Sequence, residues 1–205
     1  MSHPWYHPSE EIISILNKFD VNGFESPGGT DKNTIHNYTG IYAHVLEHYR
    51  EKAGTLLELG VQHGGSSLLW HEFLPKFQLH LVDIADIAPS KIWHSMNPDR
   101  HSFYNIDGYN SAATQKFEKE VPDGFDVIID DGPHTVESQV FAVDFYFPML
   151  KPDGILIIED IQDSSHLNIL TAHLEDRYQE DVRTFDVRRT KGRYDDLIWT
   201  VTKSK

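Results

Sequence analysis

Short apolar runs that end in acids or glycines recur along most of this chain. TLLELG (55–60), QLHLVDI (78–84), FDVIIDDG (125–132) and GILIIED (154–160) are four of them, and HSFYNIDG (101–108) is a weaker fifth. Each is followed by a stretch long enough for a helix. Near-continuous apolar strands alternating with helices form a parallel sheet covered on both faces, which predicts an α/β fold with a doubly wound, Rossmann-like, mostly parallel sheet. The C-terminal part breaks the alternation. RTFDVRRT (183–190) and LIWTVTK (197–203) are strand-like and joined by KGRYDD, a link that suits a C-terminal antiparallel hairpin better than another crossover.

Ahead of the sheet, SEEIISILNKF (9–19) spaces Ile12, Ile13, Leu16 and Phe19 at helical intervals behind Ser9 as N-cap. FESPGGTDKNTIHNYTG (24–40) is loop chemistry, and Ile41, Val45, Leu46 and Tyr49 then resume a helical pattern. The chain therefore divides into an N-terminal helical and loop extension, residues 1–54, and a sheet domain, residues 55–205, with no internal repeat, low-complexity tract or interdomain linker.

Composition narrows the function classes. At 205 residues, with 39% hydrophobic and 12% aromatic residues, the chain suits one domain or one domain with an extension. Lys plus Arg number 18 against 32 Asp plus Glu, a formal charge of -14, which disfavours a nucleic-acid partner. The absence of cysteine removes disulfides and thiolate metal sites and permits a reducing compartment. No apolar run approaches bilayer length and the start lacks signal-peptide character, so the expectation is a cytoplasmic protein with no membrane partner. Homo-oligomerisation is left open.

In an open parallel sheet, ligands bind beyond the carboxyl ends of the strands. LLELGVQHGGSS (56–67) places Gly60, Gly64 and Gly65 in the turn after the first strand, with Ser66 and Ser67 opening the next helix. The spacing G-x-x-x-G-G differs from the dinucleotide pattern G-x-G-x-x-G, whose middle glycine accommodates a pyrophosphate. Glu58 would repel a pyrophosphate as well, yet suits the ammonium of a methionine moiety, directly or through water. Asp83 ends the second strand where an acid commonly accepts from ribose hydroxyls, and Asp107 in NIDG is placed for the amine of adenine. Together these point to S-adenosylmethionine. Each Asp also has a bland reading as a turn cap.

Two further strands end in paired acids, Asp130 with Asp131 and Glu159 with Asp160. Brought side by side, such carboxylates suit an oxygen-preferring divalent cation, Mg²⁺ or Mn²⁺, because their mutual repulsion calls for a compensating charge; singly, each also suits a helix cap. His134 follows in DDGPH, its direction restricted by Pro133, and can accept a proton at neutral pH. Among 13 histidines its position beside the acids sets it apart from His63 and His71, which read as surface or hydrogen-bonded. Trp5, Tyr6, Trp70 and Trp93 have ring faces suited to stacking on an acceptor, although core or surface packing accounts for them too.

The motifs GTDKNTIHNY, LLELGVQHGGSS, IIDDGPH, GILIIEDIQ and RYDDLIWTVTK resemble the metal-dependent sugar O-methyltransferases of the macrocin and mycinamicin type, within the class I S-adenosylmethionine-dependent methyltransferases. The resemblance runs from about Gly28 to the C-terminus. It implies the class I methyltransferase fold, metal ligands at Asp131, Glu159 and Asp160, a general base at His134 with Asp131 beside it, and Asp130 adjacent at the cofactor. It makes Asp31, Lys32, His36 and Tyr38 candidates for closing over cofactor or substrate, so that residues 1–54 cover the active site and 55–205 form the S-adenosylmethionine-binding catalytic domain. The implied acceptor is a sugar, nucleotide-sugar or glycan hydroxyl. A catechol-type O-methyltransferase shares the vicinal-oxygen chemistry, a nicotinamide-dependent oxidoreductase shares the sheet, and a non-catalytic S-adenosylmethionine-binding protein would lack metal dependence.

Overall fold

The computed structural model describes residues 3–24, 28–86 and 91–205. Residues 25–27 of the expected polar loop, and 87–90 after the second strand, lie outside the described residues. The elements in chain order begin with α1 (Glu10–Lys18), α2 (Thr39–Leu46), β1 (Gly54–Leu59), α3 (Gly65–Phe73), β2 (Phe77–Asp83), β3 (His101–Asn105), α4 (Ser111–Glu120) and β4 (Phe125–Asp130). Then follow α5 (Val136–Phe141), β5 (Leu150–Ile158), α6 (Ser164–Ala172), α7 (Asp176–Gln179), β6 (Val182–Asp186), α8 (Arg188–Lys191) and β7 (Leu197–Thr202).

One seven-stranded sheet has the order β3-β2-β1-β4-β5-β7-β6. Strands β1 to β5 are parallel, and β7 inserts antiparallel between β5 and β6. The chain winds outward from β1 through β2 to β3, then returns to β4 on the other side of β1. That reversal opens a crevice at the carboxyl ends of β1 and β4. Alternate side chains serve opposite faces. Leu56, Leu79, Val127, Ile129 and Ile157 pack in one cluster with α1, α2 and α3, whereas Leu57, Leu59, Ile128, Leu156 and Ile158 pack with α4 and α6 in the other.

The N-terminal elements share the first of these clusters. Ile12 and Leu16 of α1 and Ile41, Tyr42 and Leu46 of α2 are fully or almost fully buried with Leu68 and Phe73 of α3. Each such aliphatic side chain contributes about 1.5–3 kcal/mol on burial, so α1 is fastened by its apolar face. Its start is capped as the sequence predicts, with Ser9 Oγ accepting from Ile12 N at 3.4 Å.

Two local expectations are corrected. The β2–β3 connection holds only 3₁₀ turns among the described residues, at Trp93–Ser95 and Pro98–Arg100, because Asn97 caps a turn that Pro98 enters. The strand read as RTFDVRRT stops at Asp186. The Asp186 carboxylate accepts from Arg188 N, turning the chain into α8, which ends on Gly192 in the left-handed region. No helix among the described residues is long and apolar enough to cross a membrane.

His71 on α3 is buried and accepts Asn97 N–H at Nε2, 2.9 Å away. Burial, reinforced by the nearby Arg100 charge, holds its pKa below the ordinary value, about 6.5. Below that pH the unfolded chain takes up a proton that the folded chain resists, so this group costs stability on acidification and nothing above it. Urea denaturation at pH 7.5 and 5.5 should show His71→Gln retaining a larger share of its stability at pH 5.5 than the wild type does. An equal share in both proteins refutes the assignment.

Candidate functional site

A cleft of about 1160 Å³ opens at the carboxyl edge of the sheet. Small-molecule sites run from about 300 to 1,000 Å³, so it has room for a nucleoside-sized ligand with a second molecule beside it. Its wall combines Gly60–His63, Gly65 and Ser66 after β1, Asp83–Asp86 after β2, Ile106–Tyr109 after β3, Asp131–His134 after β4 and Asp160 after β5. Gly28–Asp31 of the N-terminal segment complete it.

The glycine turn is fastened by Asp83. Its Oδ2 accepts from Val61 N and Gln62 N at 2.8 and 2.7 Å, and its Oδ1 from Ala85 N at 2.8 Å. A carboxylate offers about four acceptor sites, so Asp83 keeps capacity toward the cleft while fixing the turn. Asp107 Oδ1 accepts from Tyr109 N at 2.9 Å and also lines the wall. At Gly60, φ is +87° and a Cβ would stand 2.0 Å from the Asp131 carbonyl oxygen. Only glycine lets the ends of β1 and β4 approach this closely.

Four residues expected at the cofactor, Glu58, Gly64, Ser67 and Asp130, stand behind that wall. The fully buried Glu58 carboxylate accepts from Ser67 Oγ and from Trp70 Nε1 at 2.7 Å, and burial raises its pKa. Asp130 accepts from Tyr109 OH at Oδ1, and its buried Oδ2 lacks a hydrogen-bond partner. Desolvation pushes the Asp130 carboxyl up to about 7 against the Tyr109 bond.

At the other end of the cleft, Asp131, His134 and Asp160 present ligand atoms that all lie within 4.8 Å of one another. His134 Nε2 is 3.6 Å from Asp160 Oδ2 and 3.9 Å from Asp131 Oδ1. Burial and the Asp131 charge raise the Asp160 pKa, opposed by His36 and His134, which is the electrostatic condition that a bound cation relieves. Glu159, expected as a third ligand, is buried on the far side. It meets the Lys32 ammonium at 2.9 Å and accepts from Tyr42 OH.

The segment 31–42 supplies the partners of these acids. Lys32 Nζ also reaches Asp131 Oδ2 at 2.6 Å. Tyr38 OH donates to Asp160 Oδ1 at 2.5 Å. His36 Nδ1 lies 2.6 Å from Asp196 Oδ1, and its Nε2 lies 3.4 Å from Asp31 Oδ2. Burial works against a charged His36, but the bonds to Asp196 and Asp31 and the charge of Asp160 carry its pKa up to about 10. Of the residues proposed to close over a ligand, Asp31 faces the cleft, whereas Lys32, His36 and Tyr38 are buried beneath it.

Among the described residues, Gln62, His134 and Asp160 are non-glycine cleft residues with positive φ, at 52°, 58° and 52°. Such conformations cost about 1–3 kcal/mol each and gather where side-chain direction matters. Trp5, Tyr6, Trp70 and Trp93 are not part of the described wall. Trp5 packs edge-on to Phe185, Trp93 packs on His101 and Phe103, and Tyr6 OH donates to Asp186 O. Of the other histidines, His63 lines the cleft and His71 does not.

Residues 57–161, just over half of the chain, match a family model described as a methyltransferase domain. The chain belongs to this family. Among curated relatives, this methyltransferase domain is 27% identical over 191 residues to an 8-demethyl-8-alpha-L-rhamnosyl tetracenomycin-C 2'-O-methyltransferase from Streptomyces olivaceus, covering 88% of the chain and 47% of the relative. It is 28% identical over 152 residues to a demethylmacrocin O-methyltransferase from Streptomyces fradiae, covering 70% of the chain and 37% of the relative. The chain thus spans less than half the length of these relatives. A methyltransferase from the mycinamycin biosynthetic pathway, solved with Mg, SAH and mycinamycin VI, shares the fold with a TM-score of 0.68 at 18% identity, over 96% of this chain and 55% of that one.

Gly60 and Gly64 separate the two demands on the turn. Both have positive φ, but an added Cβ at Gly64 (φ +91°) comes no nearer than 3.4 Å to Ile92. Gly64→Ala should cost about 1–2 kcal/mol, the left-handed penalty alone. Gly60→Ala adds a backbone collision and should cost at least about 2 kcal/mol more. Urea midpoints of the two variants check this, and equal losses would contradict the close approach of β1 and β4.

Proposed function

We propose that this methyltransferase domain transfers a methyl group from S-adenosylmethionine to a sugar hydroxyl, with Mg²⁺ held at Asp131 and Asp160 and with His134 as general base. The observation that carries the reading is the joining, in one cleft, of the Asp83-fastened glycine turn with the open group of Asp131, His134 and Asp160. The name of the Streptomyces olivaceus relative, a 2'-O-methyltransferase of a rhamnosyl compound, supplies the acceptor class.

The residues fit the cation. Oxygen donors suit Mg²⁺, and Asp131 and Asp160 present theirs together with His134, the ligand atoms of all three lying within 4.8 Å of one another. When bound, Mg²⁺ supplies Lewis acidity and orients vicinal hydroxyls.

The chain's own residues do the rest. The turn from Gly60 to Ser66 would hold the cofactor, with Asp83 and Asp107 offering acceptors for ribose and adenine, and the bound cofactor would supply the methyl group. His134 Nε2, aimed by its left-handed backbone, takes the proton of the acceptor hydroxyl as that oxygen bonds to the methyl carbon. The carbon–sulfur bond breaks with its electrons passing to sulfur, leaving S-adenosylhomocysteine, and the proton later passes to solvent. Alignment of oxygen, carbon and sulfur is the larger contribution, worth several orders of magnitude in rate. From segment 28–38, Gly28–Asp31 close one side of the cleft, while Lys32, His36 and Tyr38 support the acids from beneath.

Three measurements test the reading. Transfer from labelled S-adenosylmethionine to deoxysugars, nucleotide sugars or glycans should stop with EDTA and return with Mg²⁺; undiminished transfer after complete metal removal sinks the metal assignment. His134→Ala should lower turnover by about 10²–10⁴-fold with S-adenosylhomocysteine affinity preserved, and a near-wild-type rate removes His134 as the base. Calorimetry should show binding of S-adenosylhomocysteine and none of NADH.

A further inference from the structure

S-adenosylmethionine carries an α-ammonium, and a charge of that kind taken out of water needs an opposite charge or several acceptors beside it. Glu58 does not supply one, because it is fully buried and its two oxygens accept from Ser67 Oγ and Trp70 Nε1. Six aspartates line the cleft. Asp83, Asp86 and Asp107 follow β2 and β3, on the side read as the adenosine half, and Asp131 and Asp160 belong to the group with His134. The sixth is Asp31.

Asp31 lies where the two halves of the cleft meet. The chain before it crosses the first turn of α3, where a Cβ at Gly65 would stand 2.5 Å from Gly28 O and 2.8 Å from Thr30 N. The residue after it, Lys32, reaches Asp131 Oδ2 at 2.6 Å. Consecutive Cα atoms are about 3.8 Å apart, so Asp31 stands between the glycine turn and the acids that serve the acceptor. Its carboxylate is held from behind: Oδ2 is 3.4 Å from His36 Nε2, and the other ring nitrogen of His36 is 2.6 Å from Asp196 Oδ1. The Asp31 side chain still keeps 21% exposure. Burial works against its charge, but the His36 bond and the Lys32 ammonium hold its pKa below the ordinary value, which makes it an anion at neutral pH.

We propose that Asp31 receives the methionine ammonium of S-adenosylmethionine, the role that strand order alone suggests for Glu58, so that a residue outside the sheet completes the cofactor site. The inference rests on the reading of the cleft as an S-adenosylmethionine site. Methyl transfer removes the sulfonium charge and leaves the ammonium, so the same contact holds S-adenosylhomocysteine.

Calorimetry on the full chain tests this with S-adenosylhomocysteine and its des-amino analogue, which keeps the carboxylate and lacks the ammonium. The wild type should bind S-adenosylhomocysteine about 10–100-fold more tightly than the analogue, the range of a hydrogen bond to a charged group. Asp31→Asn should lose that preference, with S-adenosylhomocysteine weakened by the same factor and the analogue unchanged. Equal weakening of both ligands, or an unchanged affinity for S-adenosylhomocysteine, overturns the proposal. An unchanged affinity with a raised KM for the sugar acceptor overturns it too, by giving Asp31 to the acceptor. Should Asp31→Asn not fold, carbodiimide labelling of the wild type carries the test: S-adenosylhomocysteine must protect Asp31 and the des-amino analogue must not, and equal protection overturns the proposal. If the wild type binds no S-adenosylhomocysteine at all, the cofactor reading itself fails, and the role of Asp31 with it.

Discussion

Removing an ammonium and two carboxylates from water costs several kcal/mol per ion unless their geometry and remaining hydrogen bonds compensate. The contact of Lys32 with Asp131 and Glu159 meets that condition, with Tyr42 donating to the second acid. Because Asp131 follows β4 and Glu159 follows β5, the ammonium draws the ends of two neighbouring strands together. It also fastens the N-terminal segment to the sheet, so the wall contributed by Gly28–Asp31 and the acids beneath it are one construction. Breaking such a pair on one side leaves a buried charge uncompensated, a far larger penalty than the net worth of the pair.

The sheet order explains why these groups meet. Reversal at β1 and β4 opens the crevice, and the parallel direction of β1 to β5 brings Asp83, Asp107, Asp131 and Asp160 to one edge. Strand β7 runs the other way, so its beginning lies at that edge too. Asp195 and Asp196 just before β7 therefore arrive beside the N-terminal segment, where Asp196 meets His36 and the Asp195 carbonyl accepts from Tyr38.

Much of this was legible in the sequence because it follows from periodicity. Apolar runs such as TLLELG and FDVIID bury both faces, which marks a parallel sheet, and the KGRYDD link marked the hairpin. Burial within the site was less legible. Glu58 and Asp130 sit at strand ends, as expected, but side chains at successive positions point to opposite faces, so one member of each acidic pair turns inward. Asp131 and Asp160 face the cleft while Asp130 and Glu159 do not. Tyr42 and Tyr109 gave no signal, since a tyrosine in a helix or loop has no spacing that reveals its partner across 21 or 117 residues. Asp195 and Asp196 did carry one: an acidic pair opening an antiparallel strand belongs to the same edge as acids closing parallel ones.

The inward-facing acids serve the outward-facing ones. Glu58 fixes Ser67 and Trp70 in α3, whose first turn bears Ser66 at the cleft. Asp130 holds Tyr109 OH, which places that ring along the wall and close over Gly132, where a Cβ would stand 1.9 Å from the phenol oxygen. Gly132 is the residue between Asp131 and the Pro133–His134 turn, so the ring sets the path by which the chain reaches the left-handed His134. A general base, the role proposed for His134, gains from such a constraint, because each rotamer or backbone state excluded raises the fraction of molecules already aligned. The strain at His134 and the burial of Asp130 are thus two costs of the same alignment, and both fall on the strand end that also carries Asp131, whose carboxylate meets Lys32 on one side and His134 on the other.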